Sequence, residues 1–527
     1  MVVVEFEYEE MKRLIDLPRE KMVASLSDLG APSEYEPEVK KIITELTPNR
    51  PDWYSMEGLA RSLKAYHGKG LPEYQAKKSD YKVVVHPSVA KVRPYTVCAV
   101  VRGLKFDDQR IKDMVLLQEK LLATLGRKVK KFGLGIYPLH AIKFPVSYTT
   151  MRPEEIRYTP LGAEKEMSAD EILKFHKKGQ QYGHLLKGYD RYPVFLDADG
   201  KVMALIPVVN SNETGKVDVA TEDVFIEVSG MDLHSCKAAL NILACTFADM
   251  GGTIYEVLMD YGKEKFESPD LKPKTLKISS KDVNKVLGLE LSDLEMAGHL
   301  GRMGYAYRKG VVYTPPYRAD IMGIIDVVED IAISYGYNNF KPSTPDFFCP
   351  GEGNRGYDEF DSIMRGMGFT ETKTFMLTNK EKLGMIGCAD KVIEITNPGS
   401  VEYTVVRPNL ILDMINTMAV NKMKGLPQKF YEIGMVQNGE RTARRLVFGV
   451  VDKRLEFSEV RGYLQTLTAE ADFEFVLNKT ENQIFEADIS CAVMAKGKEI
   501  GVFGKVRREV LGKFGLDFDT YICELQL

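Results

Sequence analysis

YRADIMGIIDVVEDIAISYGYNNF, residues 317–340, carries two patterns on one stretch. Ile321, Ile324, Ile325, Val328, Ile331, Ala332 and Tyr335 recur at the i, i+3, i+4 spacing of a helix with one buried stripe. Gly336 is placed to end that helix. Asp326, Glu329 and Asp330 crowd one turn of the other face, with Asp320 at the helix start. Like charges three and four apart repel by about 0.2–0.5 kcal/mol per pair, and no lysine offsets them. Oxygen clusters of this kind suit a hard cation, and Mg²⁺ needs only one or two protein carboxylates plus water. A solvated acidic face with Asp320 as an N-cap has the same spacing. Asp320 and Asp326 do not share a helix face, so a joint site requires the preceding chain to curl back.

Around this helix, residues 265–345 read as strand, helix, helix, strand, strand, with Ser279 and Ser292 as N-caps. Two short helices and a small hairpin have the texture of a winged-helix module. Residues 1–80 read as a small α/β module, in which the loop Thr47–Pro51 precedes a helix capped by Asp52 or Ser55. Residues 81–262 alternate strands and helices, with YTVCAVVRGLKF as a strand and Asp197-Ala198-Asp199-Gly200 as a hairpin turn. Residues 346–527 give predominantly antiparallel signals in KTFMLT, KVIEITNP, QKFYEIGMVQ and RLVFGVV. The fold class is therefore a multidomain protein of mixed α/β and α+β type.

The chain has 527 residues, 44% of them apolar and 28% charged, and a net charge of −4. Its length exceeds what one core serves, and its composition is that of globular proteins. The charge balance does not predict a surface coated in basic residues, although a local nucleic-acid patch is compatible with it. No apolar run reaches the length of a membrane span, and MVVVEFEYEE has acids where a signal peptide has lysine or arginine. The seven cysteines are scattered and never form CxxC. A reducing cytoplasm is the expected compartment. None of the seven histidines lies after position 299, and HExxH, GxSxG and the P-loop pattern are all missing. Serine-triad, zinc-hydrolase and P-loop chemistry have no support in these residues.

Three further constellations stand out. Arg127-Lys128-Val129-Lys130-Lys131 suits a phosphate chain, or the last turn of a helix whose dipole favours lysine. Asn210, Ser211, Thr214, Glu227 and Asp232 are polar residues at the ends of apolar strands, a placement that lines pockets and also serves ordinary turns. Arg407 ends a strand before a helix, where a structural ion pair is expected over a phosphate clamp.

Taken together these stretches resemble the β subunit of phenylalanyl-tRNA synthetases of the archaeal and eukaryotic type. Asn49-Arg50, Asp52 and Glu57-Gly58-Leu59 match the N-terminal NR-x-D…EGL signature. Ile206-Pro207-Val208-Val209-Asn210, Ile226-Glu227 and Gly230-x-Asp232 are similar to the editing-domain pattern, with Ser229-Gly230-Met231-Asp232 in place of TGTD. Arg318-Ala319-Asp320-Ile321, Asp326, Glu329-Asp330 and Tyr335-Gly336-Tyr337-Asn338-Asn339 match the winged-helix-like module. Asn397-Pro398, Val406-Arg407-Pro408, Asn421 and Phe430-x-Glu432-Ile433-Gly434 match the catalytic-like domain. In GVFGKVRRE, residues 501–509, the glycine pattern of the third class II motif is incomplete.

The resemblance implies an N-terminal module over 1–80, an editing domain over 81–262, a winged-helix-like module over 265–345 and an inactive class II-like domain over 346–527. It implies Mg²⁺ at Asp320, Asp326, Glu329 and Asp330. It implies a tetramer of two α and two β chains, in which α binds ATP and phenylalanine and charges tRNA(Phe). Editing would hydrolyse tyrosyl-tRNA(Phe) in a pocket shaped by Asn210, Thr214 and Glu227, with Ser211 and Asp232 as partners for the tyrosine hydroxyl. An apolar pocket rejects one added hydroxyl by only about 10²-fold, so a second site is physically sensible. A free deacylase or an RNA-binding scaffold would instead be complete without an α partner.

Overall fold

The computed structural model describes residues 2–527 apart from 71, 345–350, 352–357 and 391. The chain forms two compact bodies, residues 1–343 and 344–527. The boundary expected at 345/346 lies outside the described residues.

The first body begins with an antiparallel sheet of Val2–Glu7, Lys41–Leu46 and Ser33–Glu36. Its third α-helix, Met56–Tyr66, is capped by Ser55, whose side chain accepts from the Gly58 N–H. Two larger sheets follow. One has four strands in the order Thr253–Tyr255, Tyr95–Arg102, Val224–Gly230, Phe132–Pro138. The other has seven and includes Lys82–Val85, Val146–Met151 and Tyr192–Leu196.

Period-2 alternation builds the layers. Val97, Ala99, Val101, Val224, Ile226 and Val228 face the core that includes the helix Leu233–Asp249. Cys98, Val100 and Phe225 face the opposite way, into a core shared with the seven-stranded sheet. The expected hairpin turn closes Tyr192–Leu196 onto Val202–Leu205, with Gly200 at φ 81°.

Residues 274–314 follow the expected order: strand Lys274–Lys277, helices Ser280–Leu287 and Asp293–Arg302, strands Ala306–Arg308 and Val311–Thr314. Ser279 and Ser292 cap the two helices as expected. The next helix is Ile324–Tyr335.

The second body is built on a seven-stranded sheet, antiparallel except where Thr370–Glu371 joins Gln428–Asn438. Val447 and Val451 face one core, which includes the helix Ile411–Val420. Leu446, Phe448 and Val450 face the other, which includes the helix Phe457–Glu470. Arg407 is 1% exposed and binds Glu432 at 2.9 Å and Asp413 at 3.0 Å, the structural ion pair expected of it.

Candidate functional site

The helix Ile324–Tyr335 answers its acidic crowding in an unexpected way. Its buried residues include Val327, Val328, Asp330, Ile331 and Ala332, whereas Ile324 is 41% and Ile325 63% exposed. Val328, Ile331 and Ala332 are thus buried as expected, but the buried face turns away from Ile324 and Ile325 to take in Val327 and Asp330. Its counter-charge comes from the preceding loop. Arg318 binds Asp320 through Nε at 2.8 Å and Nη2 at 2.7 Å, and Nη2 also reaches Asp330 at 2.7 Å. The Tyr305 hydroxyl donates to Asp330 at 2.5 Å. Burial opposes ionisation of Asp320, but the Arg318 guanidinium outweighs it and holds the carboxyl below its ordinary range.

Asp326 accepts from the N–H groups of Met322 and Gly323, both at 2.7 Å, and so closes the helix start. The N-cap position belongs to Gly323, not to Asp320. Glu329 is exposed. The four acids do not fit a magnesium ion as arranged. Two neutralise one guanidinium and a third is committed to backbone donors. Among the described residues no group of three or more His, Cys, Asp or Glu is placed to hold a metal. The N-terminal NR-x-D signature has the same kind of fork: Arg50 binds Asp52 twice at 2.9 Å and stacks on Trp53.

The second cluster lies between the two large sheets. On the strand Val224–Gly230, the alternation that turns Phe225 into the inter-sheet core also turns Glu227 and Ser229 that way. Glu227 is 1% exposed. Ser229 donates to it at 2.5 Å and itself meets the Thr96 hydroxyl at 2.9 Å. Tyr137 lies 3.5 Å from the other Glu227 oxygen and 3.2 Å from Asn210 Oδ1. Gly135, directly opposite Glu227 in the ladder, makes this possible. A Cβ there would sit 2.6 Å from the Tyr137 hydroxyl.

Burial pushes the Glu227 carboxyl up to about 8 from its ordinary 4.5. The Tyr137 hydroxyl has one proton for the two oxygens it faces; if Glu227 is protonated its O–H can donate to Tyr137, which frees the Tyr137 proton for Asn210 Oδ1. The folded state thus holds a proton that the unfolded chain releases above its ordinary value, so stability falls as pH rises between the two values. Glu227→Gln removes that titration. Its unfolding temperature is expected to depend less on pH between about 5 and 8, and to exceed the unsubstituted protein's at about pH 8. Parallel pH slopes in calorimetry would contradict this assignment.

The other expected pocket residues are placed differently. Ser211 caps the short helix Asn212–Gly215 by accepting from the Glu213 N–H. Thr214 is buried and reaches the Met203 carbonyl at 3.5 Å. Asp232 caps the helix Leu233–Asp249, accepting from His234 N–H at 3.1 Å and Ser235 Oγ at 2.6 Å. The Ser235 hydroxyl chiefly holds its carboxyl below the ordinary range. The structure therefore joins Asn210 and Glu227 and gives Ser211 and Asp232 capping roles. Tyr137 and Ser229 also belong to the cluster, as does Arg93, whose Nη2 lies 3.5 Å from the Ser229 carbonyl; none of the three is among the residues expected to line the pocket. The alternating glycines of FGLGIYP were the sequence signal for Tyr137.

Two family profiles match the chain: the phenylalanyl-tRNA synthetase beta chain CLM domain over residues 351–527, and the tRNA synthetase B5 domain over 276–337. The phenylalanine–tRNA ligase beta subunit of Archaeoglobus fulgidus is 35% identical over 542 aligned residues, covering 100% of this chain and 98% of its own. The chain belongs to the phenylalanine–tRNA ligase β-subunit family. The member from Thermococcus gammatolerans is 34% identical and covers 91% of this chain. Among solved structures, an N-terminal fragment of the phenylalanyl-tRNA synthetase β subunit from Pyrococcus horikoshii matches with a TM-score of 0.60 at 34% identity, over 63% of this chain and 99% of the fragment. The family's B5 profile thus falls on the module built around Arg318. Within the described residues no helix is long and apolar enough to cross a membrane.

Proposed function

We propose that this chain is the β subunit of a phenylalanine–tRNA ligase, working with an α subunit in a complex of two α and two β chains in the cytoplasm. The observation that carries the reading is the 35% identity that runs the length of both this chain and its relative. In this reading α holds ATP, phenylalanine and the charging site. The second body here is a class II-like partner domain without catalysis of its own, in line with its lack of histidine.

An apolar surface on that second body suits the α contact. Phe375 (72% exposed), Met376, Leu377, Ile393, Val401 (82%) and Tyr403 all face solvent. They flank one small ladder, Leu377–Thr378 against Val405–Val406, and the Phe375 and Tyr403 rings meet edge to face at 5.7 Å. A contiguous patch of this kind marks a protein interface.

Editing of tyrosyl-tRNA(Phe) is assigned to the region around Asn210, Ser211, Thr214, Glu227 and Asp232. The buried polar chain between the sheets supports it, since it offers amide and hydroxyl groups in an otherwise apolar setting. Asn210→Ala and Asp232→Ala are each expected to lower hydrolysis of tyrosyl-tRNA(Phe) by about tenfold or more, the effect of one lost polar contact, with phenylalanine charging retained. Unchanged hydrolysis in both variants removes these residues from the site. Co-purification with a tagged α subunit tests the assembly itself.

A further inference from the structure

The basic run at 127–131 does not end a helix. The helix Asp108–Ala123 stops before it, and Arg127, Lys128 and Val129 take φ of 48°, 53° and 67°. The Lys130 N–H donates to the Arg127 carbonyl at 3.3 Å, so Lys128 and Val129 are the central residues of a left-handed turn. Turns of this sense select Asn-Gly or Asp-Gly, and a β-branched residue there is a true outlier. Strain of this kind persists only where the surroundings over-determine it, and it clusters at functional sites.

The surroundings do hold it. Val129 is 2% exposed, and its carbonyl accepts from Arg93 Nη2 at 3.0 Å. The Lys131 carbonyl accepts from the Met231 N–H at 2.8 Å, which clips the turn to the end of the strand Val224–Gly230. The Lys131 ammonium is answered by Asp232 at 3.4 Å and Ser235 at 3.3 Å. Arg127, Lys128 and Lys130 are exposed and make no ion pair among the described residues. Three uncompensated cations thus sit on a rigid, strained support. Arg93 links that support to the buried chain, since its Nη2 also lies 3.5 Å from the carbonyl of Ser229, the residue that donates to Glu227.

We propose that Arg127, Lys128 and Lys130 form a phosphate grip that holds an RNA strand as its end enters the region around Asn210 and Glu227. This rests on tRNA being a substrate of the chain, as argued above. Val129, the apolar member of the run, is buried, so the turn offers charge without apolar area. That suits a phosphodiester chain, where affinity comes from phosphate neutralisation, over a protein interface or a lipid surface, which need apolar contact.

The test is the salt dependence of tRNA(Phe) binding by the αβ complex, with this chain unsubstituted or carrying Arg127→Gln, Lys128→Gln and Lys130→Gln together. Each single-strand phosphate contact adds about 0.7 to the slope of log K against log salt, so the triple variant is expected to lose about 2. A charge-conserving triple, Arg127→Lys, Lys128→Arg and Lys130→Arg, is expected to keep the slope. An unchanged slope in the glutamine variant overturns the grip, as does an equal loss in the charge-conserving one. Hydrolysis of tyrosyl-tRNA(Phe) is read in parallel, with KM expected to rise at nearly constant kcat. If the unsubstituted complex does not hydrolyse it, the editing assignment fails, while the slope comparison still decides the grip.

Discussion

Arg318→Ala is expected to destabilise the first body by about 3–5 kcal/mol, the cost of stranding a buried charge without its partner. The arginine side chain is 2% exposed and holds Asp320 and Asp330 together, whose side chains are 12% and 8% exposed. With it gone, the Tyr305 hydroxyl still serves Asp330, but Asp320 loses both of its guanidinium bonds. Arg318→Met combined with Asp320→Asn and Asp330→Asn is expected to recover most of the loss, because uncharged groups of similar shape carry a far smaller desolvation cost. Calorimetry of the full chain reads both variants. A loss below about 1 kcal/mol for Arg318→Ala would show that the acids find another counter-charge, and a magnesium ion would again be a reasonable one.

Phe375→Asp together with Val401→Asp is expected to abolish assembly with α. Central apolar anchors of an interface cost about 2 kcal/mol or more each when removed, which is about 30-fold per residue in affinity. A carboxylate introduced there adds desolvation cost. Phe375 and Val401 are 72% and 82% exposed, so the variant's own unfolding temperature is expected to stay near that of the unsubstituted chain. Size-exclusion chromatography with α, and charging of tRNA(Phe), read the result. A variant that still assembles and charges would place the α contact elsewhere on the chain.

The sequence announces local structure where one residue decides it. Ser55, Ser279 and Ser292 cap the helices expected of them, because a hydroxyl at the N-cap acts within a few residues of itself. The hairpin at Asp197–Gly200 is legible for the same reason. Periodicity is less decisive. In residues 317–340 the expected stripe holds at Val328, Ile331 and Ala332 and fails at Ile324 and Ile325, where an alternative stripe through Val327 overlaps it. Only the start of the helix at Ile324 and the packing beneath it select the alternative. The balancing cation is Arg318, which lies in the loop before the helix, beyond the reach of i, i+4 pairing within it. The turn at 127–131 was hidden differently. Lys and Val give no turn signal, and tertiary contacts from Arg93 and Met231 hold the left-handed backbone. The site was half legible. Asn210 and Glu227 are joined through Tyr137, whose role depends on a ladder pairing that no local pattern encodes.

Co-expression with the matching α subunit, followed by size analysis and phenylalanine charging of tRNA(Phe) with and without this chain, decides the functional reading. The expected result is a particle of about two α and two β chains that charges tRNA only when both are present. A stable monomer that neither binds α nor supports charging would contradict it.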